Sequence, residues 1–181
     1  MNNSGVQEIY YSEMKHTPIG PLTLFATGAG LCQVEFGAAA ASCSRLGRWF
    51  ADHFGGAALR ESELQLDEFR RQLEAYFAGE LVEFSLPLDM RGTDFQLRVW
   101  EALLDIPYGD TVSYKDIAVR IGNPKAVRAV GGANNRNPVP VIVPCHRVIG
   151  AGGQMVGYGG GLGIKETLLQ LEAVRGGALL F

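Results

Sequence analysis

The fold prediction starts from the stretch Asn137-Pro-Val-Pro-Val-Ile-Val-Pro-Cys-His-Arg-Val148, because its prolines restrict the backbone around one cysteine. Its three prolines lack an N–H, and each restricts the preceding residue to extended backbone. Residues 139–143 therefore cannot form a helix, and we predict a short, buried, extended segment. A segment of this kind holds Cys145 at a fixed position, which a nucleophile that must meet its electrophile in line requires.

Each cysteine can be either a nucleophile or a buried structural residue. A lone cysteine after an apolar run is more often a small buried hydrophobe than a nucleophile. Cys32 alternates with apolar residues of a predicted strand and Cys43 has no basic neighbour in sequence, so we expect both to be structural. The three cysteines form no C-x-x-C pair, and the chain has only three histidines, so a disulfide framework and a zinc site both lack ligands. No metal is predicted.

The chain has 181 residues, which is enough for one large domain or two small ones. It contains neither an apolar run that could span a membrane nor a signal-peptide pattern, so we expect an intracellular protein. Residues 1–90 carry 6 Lys and Arg against 12 Asp and Glu, whereas residues 91–181 carry 10 against 7. The second half is therefore the candidate for binding nucleic acid. Its basic excess is small, so we expect few phosphate contacts. The alternative is that these charges belong to an ordinary solvated helical surface.

The first half begins with residues 7–36, in which polar and apolar residues alternate between turns. This pattern predicts a small antiparallel sheet. The Ala-rich segment 38–50 predicts a helix, and a second helix, ended by Gly79, is indicated by an apolar stripe with helical spacing. We assign that stripe to the core; it consists of Leu66, Phe69, Leu73, Tyr76 and Phe77.

The stretch 86–92 lacks periodicity and is predicted to be a domain boundary. It divides an N-terminal α/β domain, 1–88, from a C-terminal domain, 92–176. Thr93 and Gln96 have the spacing of a capping box, which predicts the start of the next helix.

Two short helices separated by a glycine turn follow. Ser113 caps the first, and Asn123 is predicted to cap the second, with Pro124 at its first position. This spacing is typical of a helix-turn-helix, and an ordinary αα-hairpin has the same spacing. The second helix carries Ala and Gly where a major-groove reader carries Asn, Gln, Ser and Arg. A slim helix of this kind, with Arg128 as its long polar group, suits the minor groove, where recognition depends little on sequence.

Residues 150–163 include eight glycines, a composition typical of a flexible linker. The segment also carries apolar anchors such as Met155 and Tyr158, for which a linker has no use. Glycine allows the backbone to approach a planar ligand closely, so we predict that this segment contacts a flat substrate. A short helix follows, and Glu172 lies near its end.

The sequence Pro144-Cys-His-Arg-Val148 is preceded by Arg128-Ala-Val-Gly-Gly132 and followed by Tyr158-Gly-Gly-Gly-Leu162. Together these motifs resemble the active-site region of the O6-alkylguanine-DNA alkyltransferases, which transfer an alkyl group from DNA to one of their own cysteines. The resemblance covers residues 90–175 in detail and the first half in outline. It implies an α+β protein, with a ribonuclease H-like N-terminal domain around a small antiparallel sheet and an all-α, winged-helix-like C-terminal domain that contains the helix-turn-helix.

The implied reaction is SN2 transfer from the carbon on guanine O6 to the sulfur of Cys145. A thiol with a pKa of about 8.5 is mostly protonated at neutral pH and needs a base. By the resemblance, His146 is the base and Glu172 orients its imidazole. Neighbouring side chains of an extended segment point apart, so we expect a water between Cys145 and His146 rather than a direct contact. No cofactor is implied.

The resemblance also assigns roles to residues around the cysteine. Asn137 supports the turn that leads into the cysteine segment, and Tyr114 directs its hydroxyl toward the guanine. Backbone groups of Cys145 and Val148 accept from the guanine amine, and the N–H of Gly159 donates to O6. The catalytic set is Cys145, His146, Glu172, Asn137 and Tyr114. The substrate pocket consists of Tyr114, Val148, Tyr158, Gly159, Pro140 and Met155.

The implied partner is double-stranded DNA that contains O6-alkylguanine, bound by a monomer. Arg128 takes the place of the target base, which is flipped out of the duplex. The residues expected to contact DNA are Arg128, Tyr114, Ala126, Ala129, Gly131, Gly132 and Ser113.

The chain lacks the zinc ligands of the mammalian members and the cysteine-rich domain of the larger bacterial regulators. The product thioether is stable, so we predict one turnover per molecule, O4-alkylthymine as a second substrate, and a cytoplasmic location, or a nuclear one in a eukaryote. Three other functions remain: a relative that binds alkylguanine without repairing it, a helix-turn-helix regulator and a cysteine hydrolase. Cys145 disfavours the first and the Ala/Gly helix the second, while the third leaves the helix-turn-helix unexplained.

Overall fold

The computed structural model describes residues 7–55 and 57–176. The first half consists of β1 (Glu8–Met14), β2 (Leu22–Thr27), β3 (Gly30–Phe36), α1 (Ala39–His53), β4 (Ala58–Glu61) and α2 (Glu63–Ala78). The second half consists of α3 (Asp94–Leu104), β5 (Val112–Ser113), α4 (Tyr114–Arg120), α5 (Val127–Asn135), a 3-10 turn (Cys145–Arg147), β6 (Val148–Ile149) and α6 (Leu162–Gly176). Among these helices, none combines the length and the apolar character that crossing a membrane requires.

The sheet of the first half has the strand order β3-β2-β1-β4. Strands β1, β2 and β3 pair antiparallel, as the alternation of residues 7–36 predicts. The fourth strand was not predicted: β4 pairs in parallel with β1 and makes the sheet mixed. Three of its four residues are exposed, so β4 lacks the alternation that identifies a strand in sequence.

Both faces of the sheet are covered. On one face, Ile9, Phe25 and Cys32 pack against Phe50 and Phe54 of the first helix and its end. Cys32 has no exposed surface, which confirms that it is a core residue. The other face belongs to a larger apolar cluster that continues into the second half of the chain and includes Leu24, Leu66, Tyr76, Trp100, Leu103, Val130 and Val143.

Helix α2 confirms the predicted apolar stripe. Leu66, Phe69, Leu73 and Tyr76 are buried, and the helix ends at Gly79, which adopts the left-handed conformation with a φ of 70°. The ring of Tyr76 therefore lies in the shared core, on the face of α2 that is turned away from solvent.

The segment between the two halves runs beside β3. Leu31 donates its N–H to the carbonyl of Pro87 and accepts from the N–H of Asp89, both at 2.9 Å. The larger apolar cluster also continues across this segment. The division into domains 1–88 and 92–176 stays a prediction, and the two parts share one core.

Helices α4 and α5 pack against each other and against α3. The predicted capping boxes at Thr93 and Ser113 are both present. The second helix of the pair starts later than predicted, at Val127. Residues 123–126 form a turn closed by a hydrogen bond from the N–H of Ala126 to the carbonyl of Asn123, so Asn123 is not the N-cap. The second half also contains a parallel pair, β5 with β6, beside its helices.

The segment before Cys145 is buried but not extended, contrary to the prediction. The N–H of Val143 donates to the carbonyl of Val139 at 2.9 Å and closes a tight turn. Val141 in this turn has a φ of 76°, which is strained for a β-branched residue. Prolines restrict only themselves and the residue before them, so the two residues that follow Pro140 are free to turn. Burial of the Val141 side chain in the core holds the strained conformation.

Gly30 lies where β3 meets the connecting segment, and its substitution tests that contact. A Cβ at this position would lie 2.4 Å from the carbonyl oxygen of Pro87, and the φ of Gly30 is 153°. Rotation of a side chain relieves neither the contact with the Pro87 backbone nor the positive φ of Gly30. We expect Gly30→Ala to lower the free energy of unfolding by about 2 to 4 kcal/mol, measured by urea denaturation.

Gly28→Ala is the matched control in the same hairpin turn. No atom lies within 4 Å of a Cβ at Gly28. This change should alter the free energy of unfolding by less than about 0.5 kcal/mol. Equal destabilisation by the two substitutions would contradict the close approach of Pro87 to Gly30.

Candidate active site

Cys145 is the first residue of the 3-10 turn and is 4% exposed. The amide of Asn137 donates to its sulfur at 3.0 Å. Burial raises the pKa of the Cys145 thiol to about 11, although the hydrogen bond from Asn137, the Tyr158 hydroxyl and the charge of Lys165 act to lower it. The thiol is therefore protonated at neutral pH and requires a base to become a nucleophile.

Asn137 connects the sulfur to the tight turn that precedes it. Its amide also donates to the carbonyl of Val143 at 2.8 Å, and its oxygen accepts from the N–H of Val139 at 3.0 Å. The side chain thus spans both ends of the turn and reaches Cys145. This placement agrees with the predicted role of Asn137 in supporting the turn that leads into the cysteine.

His146 is fully buried and contacts Glu172 rather than Cys145. Its Nε2 lies 2.8 Å from Oε1 of Glu172. Burial lowers the pKa of His146, and Glu172 only partly offsets this, so the imidazole is neutral at pH 7. A neutral imidazole that faces a carboxylate carries its proton on Nε2, which leaves Nδ1 as the basic atom.

Nδ1 of His146 is buried and has no hydrogen-bond partner in the described part of the chain. Within residues 7–55 and 57–176, no hydrogen bond joins Cys145 to His146, as predicted. The physical reason differs from the one expected, because the two residues lie in a 3-10 turn and not in an extended segment. A bridging water between the two side chains stays a prediction.

Glu172 on α6 accepts five hydrogen bonds. Oε1 accepts from the Tyr76 hydroxyl at 2.7 Å, from His146 and from Nη2 of Arg147 at 2.9 Å. Oε2 accepts from Nε of Arg147 at 2.9 Å and from the N–H of Gly109 at 3.2 Å. Burial acts to raise the pKa of Glu172, but the hydrogen bonds from His146 and Arg147, together with the positive charge of Arg147, lower it to about 2. The carboxylate is ionised at neutral pH.

The sequence predicted no role for Arg147, although this residue belongs to the cysteine motif. Its guanidinium binds both oxygens of Glu172 and donates through Nη1 to the carbonyl of Ile106 at 2.6 Å. It also lies over the ring of Tyr108, 5.6 Å from the centroid. In the structure Arg147 supplies the positive charge that balances the buried carboxylate of Glu172.

Lys165 is a second residue at the site for which the sequence predicted no role. Its side chain has no exposed surface. Its Nζ donates to the carbonyl of Val148 at 2.6 Å and to that of Val156 at 3.2 Å. Burial lowers its pKa. Lys165 thus ties the glycine-containing segment to the cysteine turn. The available signal was helical spacing, since Lys165, Leu168 and Glu172 fall on one buried stripe of α6.

Two tyrosines lie close to the thiol. Tyr158 is buried, and its hydroxyl interacts with the sulfur of Cys145, although the contact falls outside hydrogen-bonding geometry. Tyr114 donates its hydroxyl to the carbonyl of Val156 at 3.2 Å. A Cβ at Gly131 would lie 3.9 Å from the Tyr114 ring, so α5 packs closely against this residue.

The residues predicted to contact DNA lie on or beside α4 and α5. Arg128 and Ala129 are exposed. Ala126 is the N-cap of α5 and does not lie inside the helix. The hydroxyl of Ser113 is engaged in the capping box with Asp116, which accounts for its position without DNA. Gly131 and Gly132 are half-buried.

The predicted pocket residues are not all in one place. Val148 and Tyr158 are buried close to the cysteine turn. Pro140 and Gly159 line a cavity of about 500 Å³ between the two halves of the chain. Met155 is exposed, in the part of the glycine-containing segment that faces solvent.

Comparisons with known proteins cover nearly the whole chain. Residues 9–90 match the family description "6-O-methylguanine DNA methyltransferase, ribonuclease-like domain", and residues 94–174 match "6-O-methylguanine DNA methyltransferase, DNA binding domain". The chain is 53% identical to the methylated-DNA–protein-cysteine methyltransferase of Mycobacterium leprae over 156 residues, which is 86% of this chain and 88% of the relative.

Solved structures agree with these matches. The crystal structure of the O6-methylguanine methyltransferase of Mycobacterium tuberculosis is 47% identical, with a TM-score of 0.77 over 92% of this chain and 94% of that one. A structure of Mycobacterium tuberculosis OGT in complex with DNA is 45% identical, with a TM-score of 0.75 and the same coverage.

The environment of Glu172 predicts that stability depends on pH. Its pKa is about 2 in the folded protein, against about 4.3 in an unfolded chain. A lowered pKa stabilises the fold above the unfolded value, and this stabilisation is lost as the pH falls from about 4 to about 2. We expect Glu172→Gln to lower the free energy of unfolding by about 3 to 5 kcal/mol at pH 6, because it leaves Arg147 buried without its counter-charge.

Urea denaturation of the protein and of Glu172→Gln, at pH 6 and at pH 3, measures this dependence. The difference in the free energy of unfolding between the protein and Glu172→Gln should be smaller at pH 3, because part of the stabilisation by the ionised carboxylate is lost there. The same gap at both values would contradict the low pKa of Glu172.

Proposed function

The chain belongs to the 6-O-methylguanine DNA methyltransferase family, and on that premise we propose that Cys145 is the residue that receives the alkyl group from O6-alkylguanine. The activity is direct repair of DNA by transfer of an alkyl group to a cysteine of the protein itself. One observation carries the assignment to Cys145: its thiol is held by Asn137 beside a neutral His146 whose imidazole faces an ionised Glu172.

The reaction forms one bond and breaks one. The sulfur of Cys145 attacks the alkyl carbon, and the bond between that carbon and O6 breaks with its electron pair going to the guanine. The thiol proton passes to Nδ1 of His146, through a water in our proposal, and Glu172 balances the imidazolium that forms. The departing guanine anion takes up one proton, and the imidazolium of His146 gives up the one that it received, so the overall transfer is neutral.

The groups around the sulfur support this chemistry. The thiolate is unfavourable in a buried site, as the raised pKa of Cys145 shows. The amide of Asn137 donates to the sulfur, and the buried ammonium of Lys165 lowers the cost of negative charge there. These groups are already in place before the substrate binds, so they need no reorganisation during the reaction.

The substrate and stoichiometry follow from the same chemistry. We propose O6-alkylguanine in double-stranded DNA as the main substrate and O4-alkylthymine as a second one, because its O4 ether offers a similar alkyl carbon. The thioether formed at Cys145 is stable, which supports one turnover per chain. A protein that bound alkylguanine without repairing it would need no activated thiol. The monomeric state and the cytoplasmic location stay predictions.

The DNA-binding role is proposed for α5. Arg128 and Ala129 are exposed on this slim helix, which suits the narrow minor groove. Arg128 is the long polar side chain of this face, so it can enter the base stack and fill the place of the flipped base. Repair must work in any sequence context, and minor-groove contacts depend little on sequence.

The site of transfer can be tested directly. After reaction with duplex DNA that contains O6-methylguanine, the protein should gain the mass of one methyl group, and peptide mapping should place it on Cys145. Cys32 and Cys43 should remain unmodified, because neither has a basic partner of this kind. Methylation of Cys32 or Cys43 would contradict the assignment.

Cys145→Ala is the matched variant for this test. It should bind the same DNA and leave the methyl group on the guanine, because it removes the nucleophile without changing α5. If Cys145→Ala still removes methyl groups from DNA, the mechanism is wrong.

A substitution of Arg128 separates base flipping from chemistry. Unstacking a base from a duplex costs a few kcal/mol, and a free base has no such cost. Arg128→Ala should therefore slow transfer from duplex O6-methylguanine by about 10- to 1000-fold, equivalent to roughly 1.4 to 4 kcal/mol. Its rate with free O6-benzylguanine should stay close to that of the unchanged protein.

Single-turnover rates with both substrates, at two salt concentrations, test the role of Arg128. A contact to phosphate would instead weaken binding to all DNA and reduce its salt dependence. Equal slowing with duplex and free base would show that Arg128 supports the pocket, and the flipping role would be dropped.

A further inference from the structure

Tyr76 belongs to α2 of the first half, yet its hydroxyl reaches the centre of the candidate active site. It donates to Oε1 of Glu172 at 2.7 Å, across a sequence separation of 96 residues. The side chain has no exposed surface, and its ring packs beside those of Phe84 and Tyr108. The ribonuclease-like half therefore supplies a hydrogen-bond donor to the proton relay of the DNA-binding half.

The hydroxyl of Tyr76 needs an explanation that packing alone does not supply. A phenylalanine would fill almost the same volume in the core without the cost of burying a polar group. Charge balance does not require the hydroxyl either, because Arg147 already binds both oxygens of Glu172. The hydroxyl of Tyr76 adds a third hydrogen-bond donor at Oε1, the oxygen that faces His146. The other two donors are Nε2 of His146 and Nη2 of Arg147.

The orientation of the Glu172 carboxylate determines the orientation of the imidazole. Oε1 receives the Tyr76 hydroxyl and Nε2 of His146, at 2.7 and 2.8 Å. If the carboxylate rotates, Nε2 follows it or loses its partner, and the position of Nδ1 on the other side of the ring changes with it. A displacement of about 1 Å in such a relay is enough to slow a reaction severely.

We propose that Tyr76 is a positioning residue for alkyl transfer, which holds Glu172 so that Oε1 faces His146. The first half of the chain thereby takes part in moving the proton from Cys145. This inference rests on the proposed roles of His146 and Glu172 as a relay. It gives the N-terminal half a chemical task in addition to its share of the core.

Positioning and electronic effects predict opposite results. A donor on Oε1 makes that oxygen a weaker acceptor for His146, so a purely electronic effect of Tyr76 would slow the relay, and its removal would speed transfer. A positioning effect predicts that removal slows transfer. The sign of the change in rate therefore decides between the two roles.

The test uses Tyr76→Phe, which removes one oxygen and preserves the ring. We expect transfer from duplex O6-methylguanine to be about 3- to 10-fold slower at pH 7, equivalent to roughly 0.6 to 1.4 kcal/mol. The deficit should shrink as the pH rises toward 10. Below a thiol pKa of about 11, the thiolate formed by hydroxide increases about tenfold per pH unit, and this route does not use the relay. A deficit that is equal at every pH, no deficit, or faster transfer would overturn the proposal.

Tyr10→Phe is the matched control. The Tyr10 hydroxyl also donates to a glutamate, Glu8, but in β1, outside the site. This variant also loses a bond from a tyrosine hydroxyl to a glutamate in the same half of the chain, at a part-buried position, and its transfer rate should equal that of the unchanged protein at each pH. A similar deficit in Tyr10→Phe would show that the effect of Tyr76 is a general loss of stability.

A double-mutant cycle with Glu172→Gln tests whether Tyr76 acts through Glu172. In the Glu172→Gln background, Tyr76→Phe should change the rate by less than about twofold, since the group that it positions is altered. Full additivity would contradict the proposal. Near-UV circular dichroism establishes that each variant is folded, and the ¹H–¹⁵N shifts of the His146 ring in Tyr76→Phe provide a second measurement, which should move if the imidazole is displaced.

Alkylation of Cys145 by iodoacetamide separates this inference from the proposed function. It needs no DNA, and mass spectrometry of the Cys145 peptide measures its rate. Tyr76→Phe should slow it at pH 7 by a factor similar to that for DNA. A protein that reacts in this way but takes no methyl group from O6-methylguanine would refute the proposed function and leave the role of Tyr76 intact.

Discussion

The buried ion pair between Glu172 and Arg147 is the interaction on which the site depends. Each charge alone would cost several kcal/mol in this interior, so each requires the other. The carboxylate also accepts from Tyr76 on α2, from Gly109 before β5 and from His146 in the cysteine turn. Elements that are far apart in sequence are therefore held at one carboxylate, which also fixes the imidazole of His146, the residue that follows Cys145.

Burial by itself does not distinguish a reactive cysteine from a structural one. Burial raises the pKa of Cys32 to about 12 and that of Cys145 to about 11. The two thiols differ in their partners: Cys32 donates to the carbonyl of Phe25, whereas Cys145 accepts from the amide of Asn137. A basic nitrogen on the neighbouring His146 completes the difference. Reactivity here is a property of the surrounding donors and acceptors and not of the degree of burial.

Local signals in the sequence predicted the antiparallel strands, the stripe of α2 and the capping boxes at Thr93 and Ser113, because neighbours along the chain decide them. The exposed strand β4 and the start of α5 were missed, since pairing with β1 and the turn closed by Ala126 do not follow from periodicity. The family motif predicted roles for Cys145, His146 and Glu172, and the structure places His146 against Glu172; the catalytic roles stay predictions. Helical spacing can predict that Tyr76 and Lys165 are buried, but not their polar contacts, because their partners lie 96 and 17 residues away in sequence.

The raised pKa and low exposure of Cys145 have a consequence for the lifetime of the protein. If a chain acts only once, as proposed, a thiol that is lost to irreversible alkylation or over-oxidation costs the whole molecule. Oxidants and small electrophiles react with exposed thiolates far faster than with buried thiols. Because burial keeps its sulfur mostly protonated, the resting protein reacts with oxidants and chance electrophiles more slowly than a protein with an exposed thiolate would.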